Sequence, residues 1–421
     1  MAYVTCPSVE DILTEKQMRT IVERSLGATA AQIVACDKRP AVTGLAGFLG
    51  DHFRVTIHVK VDGSVKKLRL FVKTVPALNR PKADFINKHG YFRREMVALR
   101  LSEEMRGAEG PNPWCSRVYL CNEGALVMPD LAPEGYKTFR SHETLDLKHS
   151  LVTAASIARF HASFANYATR RGIEDKRAYN FLQECVDVAV EPTFCESPWL
   201  RAAAKLSVNF LQAFSKKFAQ YPADLERLLV ERYLEACAEL KEHEDTLNVI
   251  IHKDLWINNI MFKHSGDEPT NALLIDFQCL RYGPPAFDLM IFLYLTTVRR
   301  FRERHERTII RHYYDVFTES LDDATKGRLK EFNYSREAFL VWCERSRMFA
   351  AFEAIGIFPF VLMDPASAQK TFDDPATYFK YCEVDRTEPV LDYCRLSRVY
   401  MERQLEVNEE FVERYVLNQP H

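Results

Sequence analysis

The chain reads as an α+β protein of two unequal lobes, a small β-rich lobe over residues 1–130 and a larger, mainly helical lobe over residues 131–421. Three observations predict this. At 421 residues the chain exceeds the commonest size of a single hydrophobic core. Apolar residues alternate with period two mainly between residues 53 and 130. After about residue 140 they recur at helical spacing, interrupted once by a β-like stretch that begins VIIHKDLWINNIMF, residues 249–262.

Taken in order, residues 10–35 carry Ile12, Leu13, Met18, Ile21, Val22 and Leu26 at three- and four-residue spacings, which predicts a helix with Gly27 as its stop. From residue 53 the period changes. FRVTIHVKV, a turn at Asp62-Gly63-Ser64 and KKLRLFVKTV together predict an antiparallel hairpin ending near residue 75. Residues 91–101 are helical in pattern, and CSRVYLCNEGALVMPDL predicts two strands around Asn122-Glu123-Gly124. MPDLAPEG joins the lobes. Helices are expected near 147–171, 175–190, 199–243, 285–320, 336–358 and 390–416. NIMF, the polar turn KHSGDEPTN and ALLIDFQCL predict a second hairpin inside the helical lobe.

Composition narrows the class. Hydrophobic residues at 47% and charged residues at 27% describe a globular chain and not a disordered one. A net charge of −2 gives no global field for nucleic acid or an anionic membrane. The 11 cysteines are scattered, with no C-x-x-C pair, as expected of reduced thiols. The N-terminus lacks a basic segment followed by an apolar run, and no stretch offers 18 uninterrupted apolar residues, so a cytoplasmic protein without a membrane span is expected. Arg299, Arg300, Arg302, Arg304, Arg307 and Arg311 alternate with Glu303 and Glu306, the pattern of a solvated helix face. His161, at helical spacing among apolar residues, reads as a core histidine.

The stretch 249–262 carries the chemistry. His252-x-Asp254-x4-Asn259, followed on the next strand by Asp276, sets two carboxylates and a carboxamide at the ends of paired strands. Hard oxygen ligands in that number suit Mg²⁺. Asp254, offset from the ligands Asn259 and Asp276, is placed to take a hydroxyl proton from an acceptor. The order of parts along the chain is that of the kinase signature set. Gly44, Gly47 and Gly50 in TGLAGFLGD allow backbone to approach phosphates, Lys73 is the lone charge at the apolar end, LFVKTV, of its strand, and Glu95 lies on the following helix at a distance suited to an ion pair.

HKDLWINNIMF, LLIDFQCLRYGPPAFDLMIFL and LVMPDLAPEGY together resemble the ecdysteroid-kinase-like (CHK kinase-like) proteins, relatives of choline kinases and aminoglycoside phosphotransferases. The resemblance covers about residues 30–410. It implies a protein-kinase-like bilobal fold and an enzyme that uses ATP and Mg²⁺ to phosphorylate hydroxyls of small molecules. Carried over by position, it implies Asp254 as catalytic base with His252 beside it, Asn259 and Asp276 as metal ligands, and Lys73 with Glu95 as the phosphate-positioning pair. Asp288 would brace the catalytic loop, and Pro129 and Leu131 in the interlobe link would offer adenine a carbonyl and an N–H. Two departures stand out: Pro129 replaces a common Glu and has no N–H, and Lys253 replaces a common Gly.

For the acceptor, the apolar run MFAAFEAIGIFPFVLM (348–363), read as a helix ending at Pro359, suggests a lipophilic wall through Phe349, Phe352, Ile355, Ile357, Phe358 and Phe360. An ecdysteroid or similarly hydrophobic alcohol is the favoured acceptor. A xenobiotic kinase and a choline-type kinase are the neighbouring readings, the latter because Trp342, Glu344, Tyr378 and Tyr381 provide material for a cation cage. From other classes, a catalytically silent hormone- or ligand-binding module is opposed by the complete set Lys73, Asp254, Asn259 and Asp276. A protein kinase is opposed by the lack of an A-P-E element after the D-F-Q stretch.

Overall fold

The computed structural model describes residues 9, 12–27, 31–41, 49–77, 79–106, 112–186, 190–191, 193–331 and 333–418. A first helix α1 (Glu15–Leu26) is fixed at both ends by its sequence. Thr14 and Gln17 form a reciprocal capping box, and Gly27 closes the helix at φ 63°. Five strands follow: β1 (Gln32–Pro40), β2 (Asp51–Val61), β3 (Ser64–Thr74), β4 (Leu120–Cys121) and β5 (Leu126–Pro129), in an antiparallel sheet of order β1-β2-β3-β5-β4. The β2–β3 hairpin turns at Asp62 (φ 50°) and Gly63 (φ 78°), both left-handed as a tight hairpin requires. β1 departs from the expectation of helix up to residue 35. Its residues are mostly exposed and include Asp37, Lys38 and Arg39, so this edge strand shows no clean apolar alternation.

Val55, Ile57, Val59, Leu70, Val72 and Val127 bury one face of the sheet against Met18, Ile21 and Val22 of α1. Helices α2 (Arg80–His89) and α3 (Tyr91–Met105) lie between β3 and β4 in the chain. The helical part contains α4 (Leu147–Asp175), α5 (Phe181–Glu184), α6 (Pro198–Phe214), α7 (Leu225–Glu239), α8 (Ala286–Thr296), α9 (Arg299–Glu319), α10 (Asp323–Glu331), α11 (Arg336–Val361), α12 (Pro365–Phe372), α13 (Thr387–Leu396) and α14 (Arg398–Val412). Two small sheets interrupt it: β6 (Val249–Ile251) with β9 (Arg281–Gly283), and the hairpin β7 (Ile260–Ser265) with β8 (Glu268–Leu274).

Several expected helices are divided. The span 175–190 contains only α5, its residues 187–189 lying outside the described residues. The span 199–243 breaks between α6 and α7, 285–320 at Thr297-Val298, and 390–416 at Ser397. The last break has a visible cause, since Ser397 is an extended N-cap that accepts from the Tyr400 N–H. α11 runs through Pro359 to Val361 instead of stopping at the proline. α9 is not wholly a solvated face: Arg302 is 5% exposed and pairs with the buried Glu410 at 2.5 Å. Among the described residues no single helix is long and apolar enough to cross a membrane.

Candidate active site

The stretch 249–262 folds as three parts, a short buried strand, a loop and the start of a hairpin. β6 supplies only Val249–Ile251, after which the chain leaves the ladder, and its polar groups are met one by one. The Asp288 carboxylate, fully buried at the start of α8, accepts the backbone N–H of His252 (2.7 Å, Oδ2) and of Lys253 (2.8 Å, Oδ1). His161 stands 3.0 Å from Asp288 through Nε2 and 2.6 Å from the Tyr313 hydroxyl through Nδ1, so this core histidine belongs to the brace under the loop. His252 gives both ring nitrogens to backbone: Nε2 lies 2.9 Å from the Ile275 carbonyl, and Nδ1 accepts the Asp254 N–H at 3.3 Å. Burial lowers its pKa, which keeps the ring neutral.

Lys253 adopts φ 63°, the left-handed region that disfavours any side chain but glycine's. Its side chain turns inward, 2% exposed, to pair with Glu191 at 3.0 Å and to lie 4.2 Å from the centre of the Phe194 ring. Burial opposes the ionised Glu191, but Lys253 and Arg281 outweigh it and hold the carboxyl at about 2. The ion pair therefore offsets the backbone strain that glycine would avoid.

Beyond the brace, the Asn259 amide donates to the Asp254 carbonyl (2.7 Å) and to its carboxylate oxygen Oδ2 (3.0 Å). The Ile275 N–H donates to the Asn259 carbonyl at 3.0 Å, which holds the chain just before Asp276 beside this loop. Asp276 itself sits at φ 67°. Across the cleft, the Lys73 ammonium donates to Glu95 (2.5 Å), Asp276 (2.7 Å) and Gln278 (3.1 Å), which occupies all three of its protons. Burial works against the charge on Lys73, but Asp276 and Glu95 outweigh it and raise its pKa. Glu95 is lifted by burial to about 7 even with Lys73 beside it, because one ammonium serves two carboxylates.

Asp254 and Asp276 both line a cavity of about 130 Å³ whose walls are largely aromatic, including Phe85, Tyr91, Phe194, Trp199, Phe360 and Tyr378. Asp254 keeps part of its surface open to this space. Enclosure by protein nevertheless pushes its carboxyl well above the ordinary range, with Asp276 reinforcing the effect.

Gly50 is explained by closeness to Lys73: a Cβ there would lie 2.9 Å from the lysine Cε. Gly44 and Gly47 lie outside the described residues. Pro129 stands opposite Leu70 in the β3–β5 ladder, while the adjacent Asp130 N–H bonds to the Arg69 carbonyl at 3.0 Å. The proline thus falls where β3 requires no donor. Leu131 packs with Tyr136, Leu273 and Met261 at the end of the interlobe link.

The apolar run 348–363 divides between two environments. Phe349, Phe352, Ile355 and Phe358 are core, Phe352 stacking on Tyr233 at 4.1 Å, whereas Ile357, Phe360 and Val361 line the cavity. Of the four residues that could furnish a cation cage, only Tyr378 faces it. Trp342 packs on His243 and Arg345, Glu344 pairs with Arg347 at 2.8 Å, and Tyr381 rests against Phe372. Sequence reasoning missed Gln278, on Lys73, and Glu353, on the cavity wall. Gln278 stands in the I-D-F-Q stretch, and Glu353 is the one acid in the apolar run 348–363.

Over residues 44–325 the sequence matches the ecdysteroid kinase-like family. The chain belongs to that family. Membership makes this ecdysteroid kinase-like protein a phosphotransferase enzyme acting on small molecules. Comparison with curated proteins gives no match. Among solved structures the chain is similar to a putative aminoglycoside phosphotransferase from Ralstonia eutropha JMP134, at 10% identity and TM-score 0.41, covering 94% of this chain and 98% of that one. It is also similar to aminoglycoside 2'-phosphotransferase-IIIa in its GDP complex (10% identity, TM-score 0.37, 94% and 98% covered). A third likeness is to a microcompartment-associated aminopropanol kinase (13% identity, TM-score 0.29, 80% and 97% covered).

Proposed function

We propose that this protein transfers the γ-phosphoryl group of ATP, with Mg²⁺, to a hydroxyl of a lipophilic alcohol, an ecdysteroid or a molecule of comparable character. The observation that carries the reading is the placement of Asp254 in a cavity walled by aromatic side chains, with Asp276 on the same cavity and Lys73 bound to Asp276. Part of the acceptor's apolar body enters the aromatic space and presents a hydroxyl to Asp254. Asp254 takes the hydroxyl proton, the freed oxygen bonds to the γ-phosphorus, and the bond from that phosphorus to the bridging oxygen breaks to release ADP.

His252 serves this step by position, its ring tying the Asp254 N–H to the Ile275 carbonyl just before Asp276. On the nucleotide side, residues 1–130 form the lobe that covers ATP and 131–421 the lobe that holds the acceptor. Lys73, kept charged by Asp276 and Glu95, turns one of its protons to the phosphates, with Gly50 beside it; Gly44 and Gly47, outside the described residues, are assigned to the same phosphate-binding role. The Pro129 carbonyl and the Leu131 N–H face the adenine.

The donor set fits a divalent cation. Asn259 spends its amide protons on Asp254, which directs its side-chain oxygen elsewhere, and Asp276 shares one ammonium with Glu95, which leaves the cluster rich in carboxylate. When bound, Mg²⁺ would neutralise charge on the phosphates between Asn259 and Asp276. The test is phosphorylation of ecdysone, other lipophilic alcohols and choline under identical ATP and Mg²⁺. Higher kcat/KM for an uncharged lipophilic alcohol than for choline is expected, and the reverse order contradicts the reading.

A further inference from the structure

Among the described residues Glu353 is the one acid on the helical wall of the cavity, on α11 one turn before Ile357 and two before Phe360 and Val361. It is 1% exposed, and its Oε2 has no hydrogen-bond partner among the described residues. Buried polar atoms are nearly always satisfied, and leaving one unpaired is costly. The Lys253 ammonium that could neutralise Glu353 is already committed to Glu191 at 3.0 Å. Burial raises the Glu353 carboxyl well above its usual range, and Asp254, Glu191 and Asp288 reinforce this against Lys253. A neutral carboxylic acid offers one O–H donor and one carbonyl acceptor to whatever fills the cavity.

We infer that Glu353 is the polar anchor of the acceptor cavity, hydrogen-bonding a second, uncharged oxygen of the acceptor. The enzyme thereby selects lipophilic molecules with at least two oxygen functions over mono-alcohols of the same skeleton. This deepens the proposed function and rests on its lipophilic-alcohol reading. One hydroxyl meets Asp254, and the second oxygen meets Glu353 on the helical wall of the same cavity. A mono-alcohol would leave Glu353 unsatisfied, whereas a second oxygen would pair it, so selectivity appears chiefly in KM. The unpaired acid also costs stability in the free protein, so an apolar side chain of similar size is expected to raise Tm.

The experiment pairs acceptors that differ by one hydroxyl: ecdysone and a deoxy analogue, androstanediol and androstanol, dodecanediol and dodecanol. Choline is the cationic control. For the best pair, wild type is expected to favour the richer alcohol by tenfold or more in kcat/KM. Glu353→Leu should bring that ratio close to one while raising Tm, and Glu353→Gln, which still donates and accepts, should retain most of it.

An unchanged ratio in Glu353→Leu overturns the inference. So does an equal loss in Glu353→Gln and Glu353→Leu with choline as preferred acceptor, which would mean recognition of charge. A lowered Tm with all acceptors depressed alike would mean a packing role and overturns it too. If wild type phosphorylates choline but none of the uncharged alcohols, the lipophilic-alcohol reading itself fails, and the inference with it.

Discussion

Replacing Lys253 by glycine sets two forces of opposite sign against each other. At φ 63° the backbone gains on the order of 1 kcal/mol when the side chain is removed. Against this, Glu191 loses its partner at 3.0 Å in a site where the two side chains are 2% and 10% exposed. Breaking a buried pair by removing one member costs about 3–5 kcal/mol. The lower end applies here, because Arg281 remains 3.6 Å from Glu191 and the Thr193 and Phe194 N–H groups still donate to its other oxygen. Lys253→Gly should therefore destabilise the protein by about 2 kcal/mol, despite the better backbone, and lower Tm by roughly 2–4 °C. Calorimetry of Lys253→Gly, Glu191→Gln and the double variant provides the assay. The double variant should be more stable than the sum of the single losses by on the order of 2 kcal/mol. A rise in Tm for Lys253→Gly, or strict additivity, would refute the claim that the ion pair offsets the strain.

Acid titration of the same site has a defined sign. Glu191 is held at about 2 against an ordinary 4.5, so its contribution to stability is present above pH 4.5 and lost as pH falls from 4.5 towards 2. Calorimetric melts across that window should show a shallower acid-side fall for Glu191→Gln than for wild type. Gly50→Ala places a methyl 2.9 Å from the Lys73 side chain and should raise KM for ATP by displacing it, which steady-state kinetics will read. Asp276→Ala should abolish the Mg²⁺-dependent rise in Tm that ATP produces, measured by thermal shift. Phe352→Ala, which removes the stack on Tyr233, should cost about 3–5 kcal/mol in denaturant unfolding.

Where residue type and spacing act locally, the fold was legible. The Asp62-Gly63 turn, the Gly27 stop and the alternation in β2 and β3 each express a backbone or burial preference that needs no distant partner. β1 was not legible, because an edge strand with charged residues on it lacks the apolar alternation by which strands are read. The helix breaks at Thr297-Val298 and Ser397 were missed because apolar periodicity continues across them.

In the site, the ordered acids and amide of 249–276 pointed to one cluster, and Lys73, Glu95 and Asp276 do meet. What Lys253 does was hidden, since its partner Glu191 lies 62 positions away in sequence. Glu353 carried a signal that could have been used. With Ile357, Phe360 and Val361 it falls at i, i+4, i+7 and i+8, one helix face, and that face is the part of the 348–363 run which lines the cavity.

The most direct test of phosphotransfer from this site compares wild type with Asp254→Asn on a pool of lipophilic metabolites with ATP and Mg²⁺. Mass spectrometry then follows products heavier by one phosphoryl group, and nucleotide affinity is measured in parallel. Wild type should phosphorylate an uncharged alcohol, and Asp254→Asn should bind nucleotide as tightly while turning over slower by on the order of a hundredfold or more. Equal turnover by Asp254→Asn, or no phosphorylated product from wild type, would contradict the account.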